Sequence, residues 1–418
     1  MKVRECVKKL KGRTIFDSRG VPTTEVHLES AGCVFTSSCP SGASTGSQEA
    51  LELRDHNESV CRGKGVAQAV ASIDTLSKAL LSTDLEVEDL PSIDKFMCDQ
   101  DGTENKSNLG ANAILPLSMS FARLGASLAG QPLWEYLQKF SGAKGKTFPK
   151  IFFNLINGGA HSDNGLFVQE IMVSFPGSTP LEVFSACSTF SAYLKEEVRL
   201  KYGMTGVGDE GGFAPPLASL EDALELVASA SRTAGIHPTI ALDAAASEFA
   251  TKGEDVTYNI GWKTEKERVL TRKELIEYYT NLIAQYKISM IEDPFDEKDY
   301  ASWEEFLPIA ESMGVQVVGD DLIVTNPELI KQAGEKKWCN VALIKMNQIG
   351  TITETIQAMK EARAYGMTVM TSHRSGETED VFLTHLTLGI GAEYIKSGAL
   401  CRSERVAKYN EFLRLFED

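Results

Sequence analysis

Three acidic residues each follow a short apolar run in the second half of the chain. Asp243 ends the run TIALD, Glu292 ends ISMIE, and Asp320 follows VQVVG. Any one of them alone is more typical of a helix N-cap or a loop acid. Together, at the ends of successive predicted strands, three carboxylates would repel one another strongly unless a cation lay between them. Because no Cys or His accompanies them, the ligand set is all oxygen and favours Mg²⁺ over Zn²⁺.

A lysine interrupts another apolar run. Lys345 lies in VALIKMNQI, where both flanks are typical of an interior strand, although lysine is seldom fully buried. A bound Mg²⁺ and a second strand-end lysine, Lys396, would lower the pKa of its ammonium group, and a lysine with a lowered pKa can act as a base. We therefore expect Lys345 to be the catalytic base.

A carboxyl group that could donate a proton occurs in a glycine-rich segment. Glu210 lies in TGVGDEGGFAP, whose glycines let the backbone approach a ligand closely. By itself this segment is best interpreted as an ordinary turn. A lysine base, however, needs a proton donor opposite it, and this need favours Glu210 as the acid.

Two further segments could bind an anionic ligand or a metal. SHRSGETED contains His373, Arg374 and Ser375 at a predicted strand end, and these donors suit a phosphate or carboxylate, whereas an isolated arginine is usually a surface residue. PSGASTGS, residues 40–47, could cap a pocket and offer Ser44 to a metal. It lacks the Gly-Lys-Ser/Thr ending of a nucleotide-binding phosphate loop, so nucleotide binding is not predicted.

A third segment, NGGAHSDNGLFVQE, combines a Gly pair with polar residues. It contains His161, Gln169 and Glu170. A lone histidine is more often structural than functional. The two glycines that precede His161 nevertheless indicate a loop that could fold over a ligand.

The elements that must position these residues form a repeat. Predicted strands end in ionisable residues, and helical periodicity lies between several of them. These residues are Asp243, Glu292, Asp320, Lys345, His373 and Lys396. After the first step, which carries the insertion GEDVTYNIGWK, the spacings are 28, 25, 28 and 23 residues, or one strand and one helix per step. Such a repeat predicts a parallel (β/α) barrel with its active site at the carboxyl ends of the strands.

The N-terminal third of the chain has a different pattern. Residues 13–40 alternate polar and apolar side chains and predict an antiparallel meander, and helical periodicity follows in residues 65–81 and 111–129. Strands followed by helices are typical of a small α+β unit. The Gly-, Lys- and Pro-rich stretch SGAKGKTFPK is the best linker candidate. We therefore expect two domains, 1–140 and 141–418.

Composition argues against several classes of partner. Lys and Arg number 42 against 58 Asp and Glu, so the net charge is −16 and phosphate backbones and anionic lipids are repelled. The eight cysteines show neither a CxxC pair nor zinc spacing, which predicts reduced thiols. The charged N-terminal segment is unlike a secretory signal, and no apolar run has the length of a membrane span. We expect a cytoplasmic protein that binds neither nucleic acid nor membrane.

Ten segments along almost the whole chain carry a family resemblance. They are FDSRGVPTTEV, PSGASTG, NGGAH, GDEGGFAP, LDAAASEF, IEDPF, GDDLIVTNP, LIKMNQIGT, SHRSGETED and CRSERVAKYN. In these segments the chain resembles the enolase family. The resemblance implies an α/β fold, an irregular (β/α)8 TIM-type barrel that begins ββαα, with a smaller N-terminal α+β domain. It also implies a homodimer and two Mg²⁺ per active site.

The activity implied by the resemblance is that of a hydro-lyase, phosphopyruvate hydratase. It is the reversible dehydration of 2-phospho-D-glycerate to phosphoenolpyruvate in glycolysis and gluconeogenesis. Lys345 would remove the C2 proton, and Glu210, helped by Glu170, would protonate the departing C3 hydroxyl. A lysine base combined with Mg²⁺ is the general pattern of this superfamily, and Mg²⁺ would neutralise the charge that develops on the substrate carboxylate.

The resemblance also implies ligands for the metals and the substrate. Asp243, Glu292 and Asp320 would bind the first Mg²⁺. Ser44, together with a phosphate oxygen of the substrate, would bind the second. The residues expected around the substrate are His161, Gln169, Ser372, His373, Arg374, Ser375 and Lys396.

Four positions depart from the pattern usual in the family. Pro116 replaces Gly in NAILPLS, Phe167 replaces a small residue, Gly206 stands where Asn is common, and Leu400 replaces Pro. None of them is an expected metal ligand, acid or base. The departures bear on loop closure and helix geometry rather than on the type of reaction.

Two alternatives remain open at this point. One is another superfamily member that abstracts a proton from an unphosphorylated acid, against which Arg374, Ser375 and the Ser44 loop argue. The other is a catalytically silent paralogue with a binding or structural role. A silent paralogue would be expected to have lost the acid, the base or a metal ligand, and all of these residue types are present.

Overall fold

The N-terminal part of the chain is built on a three-stranded antiparallel sheet. The computed structural model describes residues 1–30, 32–43, 46–253 and 255–417. The strands are β1 (Val7–Phe16), β2 (Pro22–Ser30) and β3 (Cys33–Ser38), with β2 in the centre. The alternation along β2 buries Val26 and Leu28 completely, as a sheet with one covered face requires. The predicted meander is confirmed, although its first strand begins earlier than residue 13.

Helices cover this sheet and join it to the rest of the chain. They are α1 (Val3–Cys6), α2 (Ala67–Leu80), α3 (Leu90–Asp101), α4 (Ala111–Leu128) and α5 (Leu133–Ser141). Helix α4 packs on β2 and β3 on one side and on α3 and α5 on others. Its sequence is apolar on almost all faces because nearly all of its residues are buried.

The C-terminal part is a closed eight-stranded barrel. Its strands are β4 (Lys150–Asn157), β5 (Glu170–Ser174), β6 (Thr239–Asp243), β9 (Ile288–Glu292), β10 (Gln316–Gly319), β11 (Val341–Ile344), β12 (Thr368–Ser372) and β13 (Tyr394–Lys396). The order around the barrel is β10-β11-β12-β13-β4-β5-β6-β9. The insertion after β6 forms a separate two-stranded sheet, β7 (Thr257–Asn259) and β8 (Val269–Thr271).

Helices surround the barrel. They are α6 (Pro180–Tyr202), α7 (Leu220–Ala234), α8 (Arg272–Tyr286), α9 (Tyr300–Ser312), α10 (Pro327–Lys336), α11 (Met346–Ile349), α12 (Ile352–Ala364), α13 (Phe382–Ile390) and α14 (Ser403–Leu415). The expected N-cap of α7 is present, since the Ser219 hydroxyl accepts a hydrogen bond from the Asp222 amide at 3.1 Å.

The beginning of the barrel breaks the simple parallel repeat. Strand β5 runs antiparallel to both β4 and β6, and the two helices α6 and α7 follow it before β6. All other neighbouring barrel strands are parallel. A uniformly parallel barrel is therefore wrong for this segment, whereas the ββαα start implied by the resemblance is confirmed. Because β5 is reversed, its first residue, Glu170, lies at the same rim as the carboxyl ends of the other strands.

A cluster of buried apolar side chains links the barrel strands below that rim. It consists of Phe152, Met172, Ala241, Met290, Val318, Val341, Leu343 and Met370. These residues are at most 1 % exposed, so the interior is packed and has no room for a channel. Polar side chains at the strand ends are therefore confined to the rim.

The four departures from the family pattern fit their surroundings. Pro116 lies inside α4, where its carbonyl accepts a hydrogen bond from the Ser120 hydroxyl at 2.7 Å. Phe167 is buried and packs edge-on against Phe249, with 5.2 Å between ring centroids. Leu400 packs against the core, and Gly206 has open space where a Cβ would lie.

No single helix in the described chain is long and apolar enough to span a bilayer. Helices α4 and α5 reach that length and composition only as a pair bent by 105°.

Candidate active site

The rim of the barrel surrounds a narrow cleft lined almost entirely by polar side chains. Most of the residues that line it were predicted from the sequence. They are His161, Gln169, Glu170, Glu210, Asp243, Asp320, Lys345, Ser372, His373, Arg374, Ser375 and Lys396. Ala245, Asp293 and Asp321 complete the lining. Glu292 is fully buried and contacts Lys396, and Ser44 lies outside the described residues.

Lys396 is surrounded by three carboxylates. Its Nζ lies 2.8 Å from Glu292 Oε2 and 3.1 Å from both Glu170 Oε1 and Asp243 Oδ2. Burial lowers the pKa of this ammonium group, but Asp243, Glu170 and Glu292 outweigh burial and raise it well above its ordinary range. The three neighbouring carboxyl groups therefore favour the charged form of Lys396 at the end of β13.

Lys345 follows β11 and pairs with Asp320. Its Nζ donates a hydrogen bond to Asp320 Oδ2, and Gln348 Nε2 donates to Oδ1 of the same carboxylate at 2.8 Å. The sequence predicts a lowered pKa for Lys345, but the charges of the protein alone raise it. Burial lowers the pKa, and Arg374 and Lys396 act in the same direction, but Asp320 outweighs them and raises it.

Glu210 is held between two histidines. Its Oε2 accepts a hydrogen bond from Asn154 Nδ2 at 2.7 Å. Its Oε1 lies 3.4 Å from His161 Nδ1 and 3.5 Å from His373 Nε2. Burial raises the pKa of this carboxyl group, but His161 and His373 outweigh burial and hold it well below its ordinary range.

Glu170 shows the opposite shift. Burial and the neighbouring Glu210 raise the pKa of Glu170 to about 8, although Lys396 opposes them. The two carboxyl groups of this side of the cleft therefore differ in proton affinity. Glu170 can hold a proton at neutral pH while Glu210 is ionised, which is the separation that acid–base chemistry requires.

Arg374 joins the barrel to the N-terminal part. Its guanidinium forms two hydrogen bonds with Glu49, of 2.8 and 3.2 Å, and one of 3.2 Å with Asn347. The Ser375 hydroxyl accepts hydrogen bonds from the Ala43 amide at 2.7 Å and from Arg19 at 3.2 Å. The segment before Ser44 is thereby fixed against the rim.

The carboxylates of the rim fit a divalent metal ion. Within the described residues no hydrogen-bond donor reaches Glu292 Oε1, although this oxygen is fully buried. Burial, and after it the charge of Asp243, raises the pKa of Glu292 well above its ordinary range. An orphaned buried oxygen in an all-carboxylate set is suited to a hard cation such as Mg²⁺. Asp243 and Glu292 share a contact with Lys396 whereas Asp320 contacts Lys345, so Asp243, Glu292 and Asp320 stay a predicted set of ligands for such an ion.

Two acids beside the predicted ligand Asp320, Asp293 and Asp321, were missed. Oxygens of Asp293, Asp320 and Asp321 lie within 4.8 Å of one another and could also hold a metal. Asp293 is in the left-handed region, with φ of 40°, and its carboxylate accepts hydrogen bonds from the backbone amides of Asp320 and Asp321 at 2.9 and 2.8 Å. These hydrogen bonds connect the loop after β9 to the loop after β10. The sequence signal for Asp293 and Asp321 was that each directly follows another acid, in the segments IEDPF and GDDL.

Other contributing residues were also missed. They are Arg19, Glu49, Asn154, Asn347 and Arg405, each of which contacts a predicted site residue. Arg19 and Arg405 lie in FDSRG and CRSER, two of the segments that carry the family resemblance, and that resemblance was the available signal for them. Glu49 and Asn154 lie in segments with no pattern of polar residues that would have identified them.

Family models match both parts of the chain. "Enolase, N-terminal domain" matches residues 7–137, and "Enolase, C-terminal TIM barrel domain" matches residues 145–418. The chain belongs to the enolase family. The family and the fold class expected from the sequence are thus confirmed, whereas the domain boundary at 140/141 stays a prediction. As a member of the enolase family the protein is a lyase of that superfamily, and its clustered acids could bind the metal on which the family depends.

Proposed function

We propose that the protein is a phosphopyruvate hydratase that reversibly dehydrates 2-phospho-D-glycerate to phosphoenolpyruvate with the help of Mg²⁺. One observation carries the proposal. Lys345 follows β11 and Glu170 begins β5, and these strands lie four places apart in a ring of eight. A substrate bound in the cleft would therefore have a base on one side and a carboxylic acid on the other, as the removal of a proton and a hydroxyl from adjacent carbons requires.

Lys345 is the proposed base for the C2 proton. Its ammonium must lose a proton before it can act, and its hydrogen bond to Asp320 opposes that loss. Bound Mg²⁺, two ions per site by family resemblance, would offset the charge of Asp243, Glu292 and Asp320 and of the substrate carboxylate. Lys345 would then be a neutral amine next to a more acidic C–H bond.

Glu210 and Glu170 are the proposed acid side. The pKa of Glu170 is raised to about 8, so this carboxyl group can hold a proton at neutral pH. The carboxyl groups of Glu170 and Glu210 both line the cleft. A proton passed to Glu210 would reach the C3 hydroxyl as it leaves. His161 and His373 lie 3.4 and 3.5 Å from Glu210, and the hydrogen bond from Asn154 Nδ2 helps to orient its carboxylate.

Arg374 and Ser375 are the proposed phosphate ligands. The guanidinium of Arg374 is bonded in a fork to Glu49, a carboxylate whose geometry resembles that of two phosphate oxygens. Lys396 and Gln169, which both contact Asp243, would lie near the substrate carboxylate, and Ser372 lines the cleft beside them. Ser44 is proposed as a ligand of the second Mg²⁺ by resemblance alone.

The experiment is a spectrophotometric assay. Purified protein with Mg²⁺ and 2-phospho-D-glycerate should generate the ultraviolet absorbance of phosphoenolpyruvate, and EDTA should abolish the signal. Absence of turnover by well-folded protein with Mg²⁺ would instead support the silent paralogue. Turnover of unphosphorylated acids, with none of 2-phosphoglycerate, would support a different superfamily activity.

We also propose that the protein acts as a cytoplasmic homodimer in glycolysis and gluconeogenesis, as the family resemblance implies. Analytical ultracentrifugation should then give about twice the chain mass of 45.6 kDa. A single species at the mass of one chain would contradict the dimer.

A further inference from the structure

Arg405 is a buried cation that contacts several parts of the site. It lies in the first turn of α14 and is 0 % exposed. Its guanidinium donates to His373 Nδ1 and to the carbonyl oxygen of Arg374, both at 2.5 Å. It also donates to the carbonyl oxygens of Ser375 at 2.6 Å and Asp209 at 3.2 Å. One side chain thus joins the loop that carries Arg374 to the loop that carries Glu210.

The contact with His373 determines where that ring carries its proton. A guanidinium has five N–H donors and no acceptor, so His373 Nδ1 must be the unprotonated, accepting nitrogen. The proton of the neutral ring is then on Nε2, a buried nitrogen that lies 3.5 Å from Glu210 Oε1 and forms no hydrogen bond with any described residue. A second proton on Nδ1 would point directly at the guanidinium, and this is electrostatically unfavourable.

His161 and His373 therefore differ although both face Glu210. Burial lowers the pKa of His373, and together with the cations Arg405, Lys396 and Lys345 it outweighs Glu210, so the pKa lies well below its ordinary range. Burial also lowers the pKa of His161, but Glu210 and its neighbours outweigh it and raise the pKa. A ring that stays neutral thus lies on one side of Glu210 and a ring that can carry charge lies on the other.

The backbone around Arg405 leaves room for this arrangement. A Cβ on Gly398 would lie 2.5 Å from the Glu210 carbonyl oxygen and 3.1 Å from Cγ and Cδ of Arg405. Gly398 also has φ of 71°, which favours glycine. The Glu210 carbonyl accepts a hydrogen bond from the Ala399 amide at 2.9 Å. The stem of Arg405 and the backbone of Glu210 are therefore packed against the same glycine.

We propose that Arg405 is a positioning residue that holds His373 as the neutral tautomer protonated on Nε2 and thereby directs a hydrogen-bond donor at Glu210. The kinetic consequence of this arrangement rests on the proposed function, since it assumes that Glu210 is the acid. The tautomer itself is a property of the folded protein and does not depend on any substrate.

The direct test is nitrogen-15 solid-state NMR of histidine-labelled protein. The chain has six histidines, so a His373→Gln variant assigns the signals of this ring by their loss. In the wild type we expect an unprotonated Nδ1 and a protonated Nε2. A protonated Nδ1 on His373 in the wild type would overturn the proposal, whether or not the protein turns over 2-phosphoglycerate.

Replacement of Arg405 by methionine keeps an unbranched stem and removes every donor. In Arg405→Met we expect His373 Nδ1 to become protonated in at least part of the population. We also expect kcat to fall about 100-fold with a smaller change in KM, because misorientation of an acid group impairs the reaction more than binding. A folded Arg405→Met protein that keeps the wild-type Nδ1 signal would overturn the proposal.

Lys408→Met is the matched control. Lys408 is another fully buried cation of α14, and it donates to Glu377 at 2.7 Å and to the Thr378 carbonyl at 2.5 Å. Its loss should destabilise the fold but leave the His373 tautomer unchanged. If Lys408→Met altered the tautomer as much as Arg405→Met, a general loosening of α14 would explain both, and the proposal would be wrong. If Arg405→Met fails to fold, the protonation state of His373 Nδ1 in the wild-type spectrum still tests the proposal.

Discussion

The ammonium nitrogen of Lys396 lies 2.8 Å from Glu292 Oε2, and each side chain is at most 2 % exposed. Two more carboxylates, of Glu170 and Asp243, contact the same nitrogen. One buried positive charge thus offsets three buried carboxyl groups. Such an excess of acid is unfavourable in a barrel interior and is the physical basis for expecting a divalent cation at the rim.

Replacement of Lys396 by methionine should destabilise the protein when EDTA is present. The three carboxylates would lose their ammonium partner, and loss of one side of a buried ion pair costs about 3–5 kcal/mol. Urea denaturation measures the change. Lys331→Met, at an exposed position on α10, is the control and should shift the free energy of unfolding by no more than about 0.5 kcal/mol. Equal effects of the two variants would contradict the role given to Lys396.

Replacement of Glu292 by glutamine should have the opposite effect in EDTA. It removes a carboxyl group whose pKa is raised by burial and by Asp243, so the free energy of unfolding should be unchanged or higher. The stabilisation that Mg²⁺ gives to the wild type, about 2.7 kcal/mol at 100 times its Kd, should be largely lost. Exposed Glu265→Gln should retain it. Full Mg²⁺ stabilisation of Glu292→Gln would show that Glu292 is not a ligand.

The contact between the N-terminal part and the barrel should depend on pH through Asp94. This carboxylate on α3 accepts hydrogen bonds from the amide and hydroxyl of Thr353 at 3.0 and 2.6 Å, and burial raises its pKa from 3.8 to about 6. The folded state therefore binds the proton more tightly, so this contribution to stability is present below pH 3.8 and is lost as pH rises to about 6.

Asp94→Asn should remove that dependence. Its gain in unfolding free energy over the wild type should be about 2 kcal/mol at pH 5 and about 3 kcal/mol above pH 7, from 1.36 kcal/mol per pKa unit. Urea titrations at both pH values measure it. A gain that falls between pH 5 and pH 7 would show that the sign of the shift is wrong.

The sequence allowed the rim to be predicted because an ionisable residue follows or ends each of these apolar runs. Asp243, Glu292, Asp320 and Lys345 all follow apolar runs at barrel spacing, so their convergence needed only the repeat. The resemblance supplied the ββαα start, which explains why Glu170 reaches the same rim on a reversed strand.

The remaining residues depend on contacts that the repeat does not encode. Glu49 pairs with Arg374 across 325 positions, and Arg405 reaches His373 across 32. Asp293 is adjacent to a predicted ligand, but its positive φ directs it at backbone amides. The sign of the Lys345 shift also required the structure, since it is set by the close contact with Asp320.

Hydrogen exchange at C2 of the substrate separates the two sides of the cleft most directly. In deuterated water with Mg²⁺, Glu210→Gln should still exchange the C2 proton of 2-phosphoglycerate while it forms phosphoenolpyruvate at least about 100-fold more slowly than the wild type. Lys345→Ala should do neither, because it lacks the base. Mass spectrometry of the recovered substrate measures the exchange. Continued C2 exchange by Lys345→Ala would contradict the assignment of Lys345 as the base.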